Sequence, residues 1–378
     1  MKKTDGNGNF FRSILAIVIV VLLVLSVSIA VNGWQSDTEG EYSGEDGNSA
    51  DNADNPNGDT ESNDGTADNK FPTTENPEKP TTPEYTYYLT GVECSPECSS
   101  ALPFVFAMDP SAPLYSISDS ELIIEIPTEQ GKTRYLVYKS SVDGLGKIGA
   151  VAPTRDYISA IVKYFGGVLA ARGNDDIVGY SAPPSTLHLD LTKRPDATFK
   201  ENGKHYYTDS ETTESFLEDE GIDRETLKKH KLPFTFAEYG KSVRGNNSAK
   251  RVIIPYSQEN VTELTYDETS NKYLLSFAGR QKYDLLVGKE VSFTNCFILF
   301  TDSITYELAE GTESVLDVAS GGYGYYLSGG TMRELRWYTD NSGNLCFRDL
   351  SSDELIVNRG NSYIAYFKSA YSDTVIIE

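Results

Sequence analysis

The chain reads as an α+β or α/β domain followed by an all-β antiparallel domain, set behind an apolar N-terminal helix and a disordered acidic linker. Three observations lead there. Residues 14–31 carry no charge, and residues 33–84 carry 14 acidic and 2 basic side chains with almost nothing apolar. Helical periodicity is present before about residue 230 and is replaced after it by short strands with turn signals.

The 14–31 run spans about 27 Å as a helix, enough for a bilayer. Lys2, Lys3 and Arg12 precede it and an acidic stretch follows. The positive-inside rule then puts the N-terminus in the cytoplasm and the bulk of the chain outside, with Trp34 at the outer interface. The alternative is a cleaved signal peptide ending at Ser28-Ile-Ala30. Either way the protein is exported. The expected layout is a cytoplasmic tip and transmembrane anchor at 1–32 and a linker at 33–84, unable to bury enough surface to order itself. Its Phe71–Glu84 end is stiffened by proline.

Residues 85–230 mix strands and helices. Strands are expected at Leu102–Met108, Leu122–Ile126, Arg134–Tyr138, Val168–Ala171 and Leu187–Leu191. Tyr157, Ile158, Ile161, Val162 and Phe165 have helical spacing, predicting a helix over Arg155–Phe165 that Gly166-Gly167 stops. A second helix, Ser210–Glu220, is capped by Asp209 or Ser210, and a third, Arg224–His230, by Asp223. From 231 to 378 the expected strands are Arg251–Tyr256, Thr262–Tyr266, Tyr273–Phe277, Val291–Thr301, Tyr323–Leu327, Arg333–Tyr338, Asn344–Arg348 and Ser362–Lys368. Turns fall at 267–271 and 340–343.

The run Glu121-Leu-Ile-Ile-Glu125-Ile-Pro-Thr-Glu129-Gln-Gly131-Lys-Thr133-Arg134, then Gly149-Ala-Val-Ala-Pro-Thr-Arg155, resembles the YerB-like family of bacterial envelope lipoproteins, domain of unknown function 3048. That family carries E-x-x-x-E-G-G-x-T-R and then G-P-V-R-S-x-R. Tyr266-Asp-Glu268 with Tyr273-Leu274 and Gly279, and Arg359-Gly360 with Tyr363-Ile364, extend the resemblance over most of 88–378. It implies a fold and an envelope location, and no function. The chain departs from the pattern at Ala152, where the family has arginine, and at 171–175, where a histidine and a serine are missing. The family's I-D-N-x-P is reduced to Met108-Asp109-Pro110. No cysteine precedes Cys94, so none is available for N-terminal lipidation.

The net charge of −23 excludes a nucleic-acid partner, which needs a basic face. Catalytic signatures such as G-x-S-x-G, H-E-x-x-H or a Walker loop are absent. The histidines are His188, His205 and His230, and neither a metal nor a cofactor is expected. His188 and Asp190 alternate with leucines and read as a solvated strand face. His230 sits at a helix C-terminus. His205 falls at the family's P-H-N-x-Y-T segment. Cys94 and Cys98 form a local disulfide or stay as two thiols, whereas Cys296 and Cys346 read as buried strand residues.

Candidate ligand-binding residues are Asp109, Glu125, Glu129, Thr133, Arg134, Arg155 and His205. In one arrangement the glutamates pair with Arg134 or Arg155 as an internal network. In the other the arginines clamp an anion. A glycine-tightened turn beside paired charges favours the network. The functional expectation is a binding module at the envelope, partnered by the membrane through its N-terminal helix and by a cell-wall component or envelope protein. The alternative is a cell-wall hydrolase or transferase using Glu125 or Glu129 as base. The 25 tyrosines suit either sugar stacking or ordinary strand packing.

Overall fold

The computed structural model describes residues 82–378, apart from 174–186, 195–198, 202, 228 and 309–310. The expected anchor at 14–31 and nearly all of the 33–84 linker lie outside the described residues. Among the described residues no helix is long and apolar enough to cross a membrane.

An eleven-stranded mixed sheet organises the molecule. We number its main strands with those of a second sheet in chain order. They are β1 (Phe104–Met108), β2 (Leu122–Pro127), β3 (Thr133–Lys139), β4 (Val168–Ala171), β5 (Leu187–Asp190), β6 (Arg251–Pro255), β7 (Val261–Asp267), β8 (Lys272–Phe277), β9 (Asn295–Thr301), β10 (Gly322–Ser328), β11 (Thr331–Thr339) and β12 (Ser362–Lys368). The large sheet runs 247–248, β11, β10, β9, β12, β2, β3, β1, β4, β5, with Leu345–Arg348 paired to β11 off this path. β12 is parallel to both β9 and β2, with Ser362 opposite Asn295 on one side and Leu122 on the other. The boundary expected at 230/231 is therefore crossed by one continuous sheet. The C-terminal part is β-rich as expected, yet not purely antiparallel, because β12 runs parallel to β9 as well as to β2 of the N-terminal half.

Strand alternation sends side chains to two cores. Leu122, Ile124, Ile126, Leu136, Tyr138, Ile364 and Tyr366 share one core with Tyr157, Ile158, Ile161 and Phe165 of helix α2 (Asp156–Phe165). Ile123, Tyr135, Val137, Tyr363 and Ala365 face the other way, against Val252, Ile254, Leu264 and Leu275 of the second sheet, which includes β6, β7 and β8. The large sheet is thus covered on both faces, which is why β2 and β12 read as nearly unbroken apolar runs.

Helix α1 is a single turn, Pro96–Ser100, and α3 is Ser210–Asp219. Asp209 caps α3 by accepting from the Thr212 amide at 2.8 Å. The helix expected at Arg224–His230 does not form. Asp223 caps only a turn, its Oδ1 accepting from the Glu225 amide at 2.9 Å. Arg224 is instead tied to the start of β1, its carbonyl accepting from the Leu102 amide at 3.2 Å. Cys94 and Cys98 are both free thiols: Cys98 lies within α1, and Cys94 Sγ donates to the Ser95 carbonyl at 3.2 Å. Cys296 and Cys346 are buried, as expected. Asp190 is not solvated either. Its Oδ1 accepts from the Gly173 and Thr192 amides at 2.9 and 3.0 Å, closing the end of β5.

Candidate functional site

Glu125 and Arg134, expected as partners, stand on opposite faces of the sheet. In the antiparallel β2–β3 register Glu125 is opposite Tyr135 and Ile126 is opposite Arg134. Glu125 therefore shares its face with Thr133 and Tyr135, while Arg134 shares that of Ile126 and donates to the Thr133 carbonyl at 2.9 Å.

Glu125 is fully buried, and hydroxyls satisfy it. Its Oε1 accepts from Thr133 Oγ1 at 2.7 Å, and its Oε2 accepts from Thr262 Oγ1 at 2.8 Å and from the Tyr363 hydroxyl. The donors come from β3, β7 and β12, so the cluster draws on both halves of the chain. Burial pushes the carboxyl up to about 7, against the downward pull of Tyr363, Thr133, Thr262 and the nearby Lys282 ammonium. Two further tyrosines face the cluster. The hydroxyls of Tyr135 and Tyr256 are buried beside Thr262 and Tyr363, without meeting hydrogen-bond geometry. Burial, reinforced by the Glu125 charge, drives both phenols well above their usual range.

Glu129 and Arg155 do pair. The one-turn 3-10 helix Glu129–Gly131 follows β2, and Arg155 is the N-cap of α2. Arg155 Nε and Nη2 donate to Glu129 Oε1 and Oε2 at 2.6 and 3.0 Å, a two-pronged contact. It is open to water, with Arg155 21% and Glu129 48% exposed. The Arg155 hydrogen bonds hold the Glu129 carboxyl below its ordinary value, with the Arg155 and Arg134 charges adding. Gly131 makes the turn possible: its φ is +69°, and a Cβ there would stand 2.7 Å from Ser257 Cβ.

Asp109 and His205 lie elsewhere. Asp109 Oδ1 accepts from the Ser111 amide and hydroxyl at 3.0 and 2.7 Å, closing a local turn. His205 begins the strand His205–Thr208, which pairs with 148–149 and 199–201. The candidate residues thus divide between a closed cluster (Glu125, Thr133), an open rim (Glu129, Arg155, with Arg134 close by) and two separate positions.

The rim borders a cleft of about 480 Å³ lined by Pro127, Thr128, Glu129, Gly131, Tyr157, Tyr256, Phe367, Lys368 and Tyr371, among others. It lies where the parallel strands β2 and β12 end, at Pro127 and Lys368. Ser303, just past the end of β9, lines it too. This is the end of a parallel sheet at which ligands bind in open α/β folds. The Tyr256 and Phe367 rings meet edge to face, their centroids 5.4 Å apart. Tyr256 therefore belongs to both places, its ring in the cleft wall and its hydroxyl in the Glu125 cluster. Among the described residues no group of three or more His, Cys, Asp or Glu is arranged to hold a metal ion.

Sequence reasoning missed Tyr256, Thr262, Tyr363, Phe367, Lys368 and Tyr371. The apolar run of 362–368 marked a strand. Nothing local said that this strand would lie beside β2.

Residues 252–364 match the family model described as the C-terminal domain of a protein of unknown function, DUF3048. The fold is similar to the crystal structure of the YerB protein from Bacillus subtilis, at 19% identity and a TM-score of 0.66, covering 78% of this chain and 99% of that one. No curated protein matches the chain. Residues 252–364 therefore carry the C-terminal domain of the DUF3048 family, in a chain whose fold is similar to that of YerB.

Proposed function

We propose that this protein is an extracytoplasmic binding module, anchored by its 14–31 helix and carried on the 33–84 linker, that holds a cell-wall component in the cleft beyond β2 and β12. One observation carries the reading: the cleft joins an aromatic wall (Tyr157, Tyr256, Phe367, Tyr371) to a polar edge (Thr128, Glu129, Lys368). Its volume falls within the ~300–1,000 Å³ usual for small-ligand sites. The hydrolase or transferase alternative finds less support. Glu125 is closed off from solvent, and Glu129 is held ionised with both oxygens engaged by Arg155, which makes it a weak base.

Hydrogen exchange of the full chain with solubilised cell-wall glycan tests the site. Protection is expected at 127–131, 255–256 and 367–371, and it should be lost in Tyr371→Ala, whose side chain is exposed enough to remove without disturbing a core. Protection confined to other segments, or none anywhere, would sink the reading. Membrane fractionation with a carbonate wash tests the anchor. The protein should stay with the membrane, and recovery of a soluble form beginning at Val31 would replace the anchor with a cleaved signal peptide.

A further inference from the structure

We propose that the ligand of this cleft is an acidic saccharide, with a sugar face against the aromatic wall and a carboxylate or phosphate at Lys368. The inference rests on the cleft reading above and names its ligand class.

The charge pattern supports it. The chain as a whole is strongly acidic, at −23. Of the residues lining the cleft, the ionised side chains are Glu129 and Lys368. Glu129 is already neutralised, both of its oxygens held by Arg155, and Arg134 adds further positive potential there. Lys368 is exposed at the last position of β12, and its ammonium makes no hydrogen bond or ion pair among the described residues. The uncompensated charge in the cleft is therefore positive. A bare ammonium offers three donors to an anion without first breaking a bond.

The shape of the wall supplies the other half. The half-buried Tyr256 ring, packed edge to face on Phe367, and the exposed Tyr371 ring supply aromatic surface to the cleft, whose lining also includes Val315 and Leu316. The lining also includes Thr128, Gln130 and Ser303, whose side chains can meet hydroxyls. The Thr128 hydroxyl is buried and has no partner among the described residues. An apolar face with hydroxyls along its edge is the chemistry of a pyranose ring. A simple anion would not use the aromatic wall, and a purely apolar ligand would leave Lys368 and the hydroxyls unanswered.

Calorimetric titration of the full-length chain in detergent separates the contributions, using di-galacturonate, glucose 6-phosphate, maltose and inorganic phosphate as probes. At least one charged sugar should bind about tenfold or more tighter than maltose, the worth of one charge-assisted hydrogen bond. Lys368→Gln should erase that preference, and Tyr371→Ala should weaken every sugar. Which charged sugar wins tells carboxylate from phosphate. Equal binding of maltose and both charged sugars, or an unchanged preference in Lys368→Gln, would overturn the proposal. So would inorganic phosphate binding as tightly as glucose 6-phosphate, since the ring would then contribute nothing. If no sugar binds while cell-wall glycan still protects the cleft in hydrogen exchange, the acidic-sugar class fails and the cleft reading stands.

Discussion

Glu125 is a carboxylate in a closed core whose hydrogen-bond partners are all neutral hydroxyls. Burial raises its pKa from 4.5 to about 7. The folded state therefore holds this proton more tightly than the unfolded chain does. Its stabilising effect is complete below pH ~4.5 and is lost as pH rises through about 7. The shift corresponds to about 3 kcal/mol. Chemical denaturation at pH 5 and pH 8 should show the wild type losing stability on this account, and Glu125→Gln should lose about that much less. An equal loss in the variant would mean that Glu125 is ionised throughout. Tyr363→Phe removes a hydrogen bond that favours the charged form, so it should move the midpoint of this loss upward. Arg155 makes the opposite case. Its pair with Glu129 is geometrically good but open to solvent, so Arg155→Ala should cost only about 0–1 kcal/mol. The buried network favoured on sequence grounds would have cost ~3–5 kcal/mol. A large drop in melting temperature would restore that network.

Among the elements, β12 carries the most. It is the last long strand of the chain, yet it sits in the middle of the large sheet, pairing along its length with β9 and along its first half with β2. Tyr363, Ile364, Ala365, Tyr366 and Phe367 are all buried, feeding both cores. Ile364→Ala opens a cavity in a fully buried site and should cost about 2–5 kcal/mol, read from urea denaturation. A loss under 1 kcal/mol, as expected for a surface strand, would contradict this placement. The same strand ends at Lys368 in the cleft, so what holds the sheet together also positions the binding wall.

At the scale of the whole molecule, residues 85–230 and 231–378 share one sheet and one glutamate cluster. Thr133 lies before the junction, and Thr262 and Tyr363 lie after it. A fragment ending at 230 would expose the β2 edge that β12 covers and strip Glu125 of two donors. The fragment 85–230 is therefore expected to remain unfolded, and residues 85–378 to melt in a single transition. A well-dispersed amide spectrum from 85–230 alone would show that the halves fold independently. Much of this architecture was nevertheless legible beforehand. The helical spacing of Tyr157, Ile158, Ile161 and Phe165 located α2, and the turn at 267–271 separated β7 from β8. These signals are local, written in the periods of 3.6 and 2 that a helix or strand imposes. The Arg224–His230 helix failed for a non-local reason: a strand start competes for the backbone of Arg224.

By itself the sequence determined most of the long strands and the helices at 156–165 and 210–219, that Gly131 marks a turn, and the resemblance to the YerB-like family. The tertiary structure alone decided that β12 enters between β2 and β9. With that step it decided that Glu125 meets Tyr363 and Thr262, that Arg155 reaches Glu129 from a helix start 26 residues away, and that a cleft opens where parallel strands end. The reason is physical. Pattern and propensity act within a turn or a strand, whereas the order of strands in a sheet is set by which apolar faces and edges can be covered together, and that depends on the whole chain at once.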